Sequence, residues 1–309
     1  VDAKRVLPTL PYYAYLKVAE GCSNCCTYCA IPSIRGPFRS RRMEDVIKEA
    51  ESLARDGIKE LVVVAQDTTR YGEDLYGASA LPELLRRLCR IDGFEWVRLL
   101  YCYPERITDE LLDVIASEPK AAKYLDIPIQ HADADVLKAM NRTGDFDWLL
   151  SLVKRIREKV PGITLRTTLI AGFPGETEQQ FETLVEFVKQ AKFERLGCFA
   201  YSQEENTPAG RMPNQLSEEV KERRAELVML EQMRIHDAYN AAKVGRKLRV
   251  VTEGYDRYGE IYFGRSEADA PDIDGKVFFS SGEKHAMGDF VMVEVDDVMD
   301  YDLIGHVVE

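Results

Sequence analysis

From residue 21 to residue 32 the chain reads Gly21-Cys22-Ser23-Asn24-Cys25-Cys26-Thr27-Tyr28-Cys29-Ala30-Ile31-Pro32, which places four of its seven cysteines within eight residues. Cys22, Cys26 and Cys29 have C-x3-C-x2-C spacing, so one short loop presents three thiolates. An iron–sulfur cluster is normally held by four cysteines. Three thiolates on one loop leave one iron of a 4Fe–4S cube open to a small molecule. The sequence therefore predicts a 4Fe–4S site with these three cysteines as ligands.

A zinc site and a disulfide framework both fit the cysteine pattern less well than a cluster does. A zinc knuckle uses two separated ligand pairs, whereas Cys25 and Cys26 are adjacent and their side chains diverge. A disulfide framework is typical of small secreted domains, whereas this chain has 309 residues and clustered cysteines. Coincidence is the remaining alternative. The other three cysteines are far apart in the sequence, and we expect them to act as small buried hydrophobic residues.

Size and composition indicate an ordinary globular protein. The 309 residues predict one large core and one smaller domain. The composition, 45% hydrophobic and 30% charged, fits that class. The sequence shows neither an apolar run of transmembrane length nor a signal peptide. We therefore expect a cytoplasmic protein with no membrane partner.

The net charge of −12 is concentrated near the end of the chain. From Arg246 to Glu309 there are 7 Lys and Arg residues against 15 Asp and Glu residues. An acidic module repels phosphate backbones and attracts basic partners. The alternative is an acidic surface that only keeps the protein dissolved.

Strand-like and helix-like stretches alternate over most of the chain. The predicted strands are Tyr12–Ala19, Glu60–Ala65, Trp96–Leu100, Tyr124–Ile127, Ile163–Ile170 and Arg195–Ala200. The predicted helices are Met43–Asp56, Leu81–Arg90, Asp109–Ser117, Ala134–Met140, Phe146–Lys159, Thr177–Ala191 and Ser217–Asn240. Six β–α units in series favour a parallel barrel or a segment of one. The alternative, an open doubly wound sheet, would carry G-x-G-x-x-G after a strand, and the sequence has none.

The pattern changes to short β runs after residue 246. They are Lys247–Thr252, Tyr258–Phe263, Lys276–Phe279, Phe290–Val295 and Ile304–Val308. Five short strands predict a small β-barrel of the oligonucleotide-binding type. The predicted domains are therefore residues 1–245 and residues 246–309.

The cysteine loop resembles the signature of the radical S-adenosylmethionine superfamily, which has this spacing and an aromatic residue, here Tyr28, just before the last cysteine. The flanking segments Tyr15–Cys22 and Cys29–Gly36 are similar to the methylthiotransferases and, among them, to the RimO type. Gly264–Gly275 resembles the TRAM module of that type. The resemblance implies an open six-unit (βα)6 partial TIM barrel followed by a TRAM β-barrel. Relatives usually lack a cysteine at the position of Cys25, which we expect to be a bystander.

The resemblance also implies an activity and its cofactors. The RimO type uses a reduced 4Fe–4S cluster to cleave S-adenosylmethionine to a radical, and it adds a methylthio group to the β-carbon of an aspartate in small-subunit ribosomal protein S twelve. The expected partners are that basic ribosomal protein, or the small subunit, and an electron donor. The alternatives are a tRNA adenosine methylthiotransferase, with tRNA the less favoured partner, and a catalytically incomplete fragment that binds a ribosomal protein.

A second cluster is implied for the full-length family, held by three more cysteines in an amino-terminal domain. The chain begins at Val1 and has only scattered cysteines outside the loop. We therefore expect it to lack that domain, to bind one cluster, and to produce 5′-deoxyadenosine without completing methylthiolation.

Chemistry in such barrels sits at the carboxyl ends of the strands. Gln66 and Asp67 follow the second strand, where the superfamily receives the amino group of the cofactor, and their oxygens suit an ammonium. Capping of the next loop is the alternative role. The aromatic residues of Leu100–Pro104, after the third strand, are candidates for packing against the cofactor or for the core.

The ends of the fourth and fifth strands supply the remaining candidates. The resemblance implies that Gln130 faces the ribose. The adjacent His131 is more typical of a structural histidine. The resemblance places Arg166 near the methionine carboxylate. Gly172 and Gly175 would let the backbone approach the adenosine closely at a helix amino terminus.

Overall fold

The computed structural model describes residues 9–309. Val1, on which the expected truncated start rests, lies outside the described residues, as does the rest of 1–8. In chain order the first part contains β1 (Tyr13–Lys17), β2 (Ala19–Glu20), α1 (Ile31–Arg35), β3 (Arg39–Ser40), α2 (Met43–Arg55), β4 (Glu60–Val64), α3 (Glu73–Tyr76), α4 (Leu81–Cys89), β5 (Trp96–Leu99), α5 (Asp109–Ser117), β6 (Ala121–Asp126), α6 (Ala134–Ala139), α7 (Phe146–Lys159), β7 (Thr164–Ala171), α8 (Glu178–Ala191), β8 (Arg195–Ala200) and α9 (Glu218–Ala241). The second part contains β9 (Lys247–Asp256), β10 (Ile261–Ser266), β11 (Val277–Ser280), β12 (Phe290–Met299) and β13 (Asp302–Val308).

Six parallel strands form an open barrel in the order β1-β4-β5-β6-β7-β8. Strand β4 is buried along almost its whole length because its sequence is continuously apolar after Glu60. Helix α2 buries Val46, Ala50 and Leu53, which recur at the helical period and so face the sheet together. Val46 and Leu53 each contribute about 1.5–3 kcal/mol when they are fully buried, and the methyl group of Ala50 contributes about 0.8 kcal/mol. The predicted (βα)6 architecture is confirmed.

The C-terminal module is a closed five-stranded barrel in the order β10-β11-β13-β12-β9. Its core contains Val250, Val277, Phe279, Val293 and Leu303. Closure pairs every strand on both sides and removes the exposed edges that promote aggregation. The predicted small β-barrel is confirmed. The predicted boundary between residues 245 and 246 lies in the turn between α9 and β9 and stays a prediction.

One segment of the C-terminal module enters the open barrel. Residues 267–276, which we call the β10–β11 segment, bury Ala270 against Val62, Leu100 and Tyr124 of the barrel interior. Carboxylates of the segment bond barrel side chains. Asp269 pairs with Arg195, Asp272 accepts from the Tyr13 hydroxyl at 2.7 Å, and Asp274 accepts from the Tyr124 hydroxyl at 2.6 Å.

A buried charge network also joins the two parts. The Glu60 carboxylate accepts from Arg98 Nε at 2.8 Å and from Arg265, and Arg265 also pairs with Glu253 at 2.7 Å. Glu60 and Arg98 are fully buried, and Arg265 is nearly so. Burial alone would raise the pKa of Glu60, but the two guanidinium groups outweigh it and lower that pKa. Glu60 is therefore a carboxylate in the folded protein.

Within residues 9–309, no helix combines the length and apolar character needed to cross a bilayer.

Candidate functional site

The cysteine loop follows β2, and its four cysteines differ in exposure. Cys22 and Cys26 are buried and Cys29 is half-buried, whereas Cys25 is exposed and has a φ of 52° that turns the chain at this point. Burial raises the pKa of the Cys22 thiol, and the neighbouring Cys26 and Cys29 add to the effect. The structure thus brings the three predicted ligands together and leaves Cys25 outside.

The three thiols lie on one short loop, which is the arrangement expected of cluster ligands. Among residues 9–309, no three His, Cys, Asp or Glu side chains converge tightly enough to hold one metal ion. A 4Fe–4S cube binds each cysteine to a different iron, so its ligands stand farther apart than those of one ion. Three neighbouring thiols on one loop fit that group. The individual ligand assignments stay a prediction.

Asp67 positions the cysteine loop. Its carboxylate accepts from Asn24 Nδ2 in the loop at 2.9 Å and from Thr69 Oγ1 at 2.5 Å, and Arg106 Nε lies 3.4 Å away. Asp67 is completely buried. The bond from Thr69 lies in the next loop, which is the loop that the alternative role concerns, whereas the bond from Asn24 comes from the cysteine loop. The predicted contact of Asp67 with the cofactor amino group stays untested.

Gln66 differs from the buried Asp67 in its exposure. Its side chain is exposed and lines a cavity of about 370 Å³ together with Lys17, Tyr101 and Ile273. Ile273 belongs to the β10–β11 segment, so the C-terminal module forms part of this cavity wall. Of the pair Gln66 and Asp67, only Gln66 keeps its side chain accessible to a ligand in this cavity.

The end of α6 and the two residues after it also hold the cysteine loop. The backbone N–H of Thr27 donates to the Met140 carbonyl at 3.1 Å, and its hydroxyl donates to the Ala139 carbonyl at 2.8 Å. Asn141 Nδ2 donates to two loop carbonyls, those of Asn24 and Cys25, at 3.1 Å each. Neither segment carries a local sequence signal for these contacts, because the bonded residues are more than a hundred positions apart.

A buried arginine connects two tyrosines beside Cys26. Arg142 donates to the Tyr28 hydroxyl at 3.3 Å, and its guanidinium carbon lies 4.2 Å from the centre of the Tyr103 ring. The Tyr103 hydroxyl oxygen lies 3.3 Å from Cys26 Sγ. Burial raises the pKa of both phenols well above the usual range. The contacts of Arg142 with Tyr28 and Tyr103 carry no local sequence signal, because these residues are far apart in the chain.

Gln130 lies four residues after the end of β6 and carries an unpaired acceptor. Its backbone has a φ of 74° and is held by Thr168 and Ile170 of β7, with bonds of 2.9 and 2.8 Å. Its side chain is only 9% exposed, yet in the described part of the chain its Oε1 has no hydrogen-bond partner. Buried polar atoms are almost always paired. A ligand that donates a hydrogen bond at this point fits that unsatisfied oxygen.

Gly172 and Gly175 both have positive φ values, 77° and 78°. The Gly172 N–H donates to the Glu176 carboxylate, and the Gly175 N–H donates to the Asn214 carbonyl at 2.9 Å. A Cβ on Gly172 would lie 2.5 Å from Cγ of Lys221 on α9. The close approach that requires glycine at residue 172 is therefore to α9, and the predicted approach of both glycines to a cofactor stays a prediction.

Arg166 and His131 are both engaged within the protein. Arg166 donates to Asp126 at 3.0 Å and lies 3.8 Å from Asp274, so its predicted contact with a cofactor carboxylate, still untested, would compete with two ion pairs. The Nδ1 atom of His131 accepts from the backbone, so Nε2 carries the proton and donates to Glu176 at 3.1 Å. These bonds support the structural role expected of His131.

Comparison with known proteins agrees with this geometry. The model of the radical SAM superfamily matches residues 16–188, and that of the TRAM domain matches residues 244–308. The chain is 50% identical over 99% of its length to a relative named ribosomal protein uS12 methylthiotransferase RimO from Clostridioides difficile (strain 630), and it spans 69% of that relative. A protein of the same name from Pelotomaculum thermopropionicum is 53% identical over 98% of the chain and is likewise spanned over 69% of its length.

Solved structures share the fold at low identity. The radical S-adenosylmethionine methyltransferase TsrM from Kitasatospora setae has a TM-score of 0.54 and 20% identity, over 65% of this chain and 38% of that one. Coproporphyrinogen III oxidase HemN from Escherichia coli, a radical SAM enzyme, has a TM-score of 0.52 and 18% identity, over 75% of this chain and 52% of that one.

Proposed function

The chain belongs to the RimO family of radical S-adenosylmethionine methylthiotransferases, and we propose that it acts on an aspartate of ribosomal protein uS12, adding a methylthio group to the β-carbon. The observation that carries this proposal is the group of three neighbouring thiols, Cys22, Cys26 and Cys29, on one loop of an open parallel barrel.

We propose that these three cysteines hold a 4Fe–4S cluster and leave one iron for S-adenosylmethionine. When bound, the two cofactors supply one-electron cleavage chemistry that can activate an unreactive C–H bond. Asp67 and the end of α6 hold the loop that carries the three thiolates through Asn24 and Thr27. Gln66 offers an accessible amide oxygen to an ammonium, and the unpaired oxygen of Gln130 accepts from a hydroxyl.

The charge of the C-terminal module supports a basic protein as partner, although part of that charge faces inward. Asp269 and Asp274 bond barrel side chains and cannot attract a partner. Asp296, Asp297 and Asp300 remain exposed near the turn between β12 and β13. We propose that this acidic end attracts uS12 during encounter, that binding weakens as salt rises, and that tRNA is repelled. We also propose a cytoplasmic location and an external electron donor for the cluster.

The ligand set is tested with single cysteine variants of the full chain. Cys22→Ala, Cys26→Ala and Cys29→Ala should each abolish cluster binding and cleavage of S-adenosylmethionine, because each removes one of only three thiolates. Cys25→Ala is the matched control, since the exposed Cys25 should not bind iron. The measurement is iron and sulfide content after anaerobic reconstitution, followed by assay of 5′-deoxyadenosine. Loss of iron in Cys25→Ala with retention in Cys26→Ala would refute the assignment.

The substrate is tested by adding partners to the same reconstituted chain. A uS12 peptide containing the target aspartate should increase 5′-deoxyadenosine formation, and the increase should decline with added salt. A peptide with that aspartate replaced by alanine controls for charge. If unmodified tRNA stimulates the reaction and the peptide does not, the enzyme is a tRNA methylthiotransferase instead.

A further inference from the structure

Cys26 has a side-chain neighbour that the ligand assignment leaves unexplained. The hydroxyl oxygen of Tyr103 lies 3.3 Å from Cys26 Sγ, which is within hydrogen-bonding distance for a sulfur atom. Tyr103 follows β5 and is only 8% exposed, so water has little access to its hydroxyl. A buried hydroxyl almost always has a hydrogen-bond partner. A metal-bound thiolate can only accept, so the phenol must be the donor.

Several contacts hold the Tyr103 ring in this place. The guanidinium group of Arg142 stacks over the ring at 4.2 Å, and Arg142 is itself fixed by the Pro128 carbonyl at 2.5 Å. The backbone N–H of Tyr103 donates to Thr69 Oγ1 at 3.3 Å, and Thr69 in turn bonds Asp67, which anchors the cysteine loop. The tyrosine and the loop that it meets are therefore fixed by one connected set of bonds.

We propose that Tyr103 donates a hydrogen bond to the Cys26 thiolate of the bound cluster and thereby raises the reduction potential of the cluster, with Arg142 holding the ring in position. The inference rests on the proposed ligand set. Hydrogen bonds to the sulfurs are among the factors that set cluster potentials. Reduction adds one negative charge, so a donor at sulfur stabilises the reduced cluster more than the oxidised one. The buried Arg142 cation acts in the same direction.

The test compares the reconstituted wild-type chain with Tyr103→Phe, which removes the hydroxyl and keeps the ring. Iron content should stay the same. The reduction equilibrium should shift about tenfold toward the oxidised cluster, which is about 59 mV for a one-electron couple. The measurement is a redox titration followed by electron paramagnetic resonance. Tyr71→Phe is the matched control, because Tyr71 is fully buried and its hydroxyl donates to the Arg41 carbonyl at 2.9 Å instead of to a cysteine.

The outcomes separate this inference from the ligand assignment on which it rests. A wild-type chain that takes up no cluster refutes both. A Tyr103→Phe cluster with the wild-type potential refutes the inference alone. If Tyr103→Phe loses iron, 3-fluorotyrosine placed at Tyr103 decides the question. Its more acidic hydroxyl is a stronger donor and should move the potential upward, and an unchanged potential would overturn the inference.

Discussion

Replacement of Glu60 by glutamine tests the charge network between the barrel and the C-terminal module. Glu60 is fully buried between two guanidinium groups, those of Arg98 and Arg265. Glu60→Gln keeps the shape of the side chain and one acceptor oxygen but removes the negative charge. Two buried cations then lose their shared counterion, although Arg265 retains Glu253.

The expected loss of stability follows from the burial of the pair. Breaking a buried ion pair by removing one partner costs about 3–5 kcal/mol. Because the amide still accepts one hydrogen bond, we expect the lower end, about 3 kcal/mol. For a domain of this size, 1 kcal/mol shifts the melting temperature by about 2–4 °C, so the variant should melt roughly 6–12 °C below the wild type.

Thermal unfolding followed by circular dichroism measures this loss. The matched control is Glu95→Gln, which breaks another ion pair between the same two parts of the chain, with Arg249. Both side chains of that pair are nearly half exposed, at 43% and 45%, so its loss should cost less than about 1 kcal/mol. If Glu60→Gln melts no lower than Glu95→Gln, the buried network does not stabilise the protein through its charges.

Two further variants test local features of the fold. Gly172→Ala should lower the free energy of unfolding, measured in urea, by about 1–3 kcal/mol. A positive φ is strained for alanine, and the added Cβ would collide with Lys221. Stability equal to that of the wild type would contradict this prediction. Burial and nearby cations lower the pKa of His236 to about 4, below its unfolded value of about 6.5. The unfolded chain therefore binds the extra proton, and the wild type loses stability as pH falls from about 6.5 to about 4. His236→Gln lacks this loss. The difference in the free energy of unfolding between the wild type and His236→Gln should therefore narrow as the pH falls from about 6.5 to about 4. A constant difference would refute the reasoning.

The sequence predicted the elements of the barrel well, because their signals are local. The helices Asp109–Ser117 and Phe146–Lys159 and the strand Arg195–Ala200 have the predicted bounds. The predicted helix Thr177–Ala191 forms with its start one residue later, and a capping box between Thr177 and Gln180 marks that start. In each case the pattern that marks the element lies within the element or at its first turn.

Contacts between distant residues could not be predicted in the same way. Gly172 is required by Lys221 of α9, which lies 49 residues further along the chain. Arg142 reaches Tyr28 from 114 residues away. Nothing in the local pattern of Arg166 distinguishes a cofactor ligand from the partner of Asp126. The number of acidic residues in the C-terminal module can be read from the sequence, but only the fold shows which of them face the barrel.

The β10–β11 segment makes the C-terminal module a poor unit for transplantation. In a chimera that joins a foreign TRAM module after α9, nothing would ensure that acidic residues meet Arg195 and Tyr124. It would also replace Ile273 in the wall of the cavity that contains Gln66. A workable graft must carry the barrel residues that meet the segment together with the module. Exchange between relatives should therefore succeed only when both sides of this contact come from the same parent.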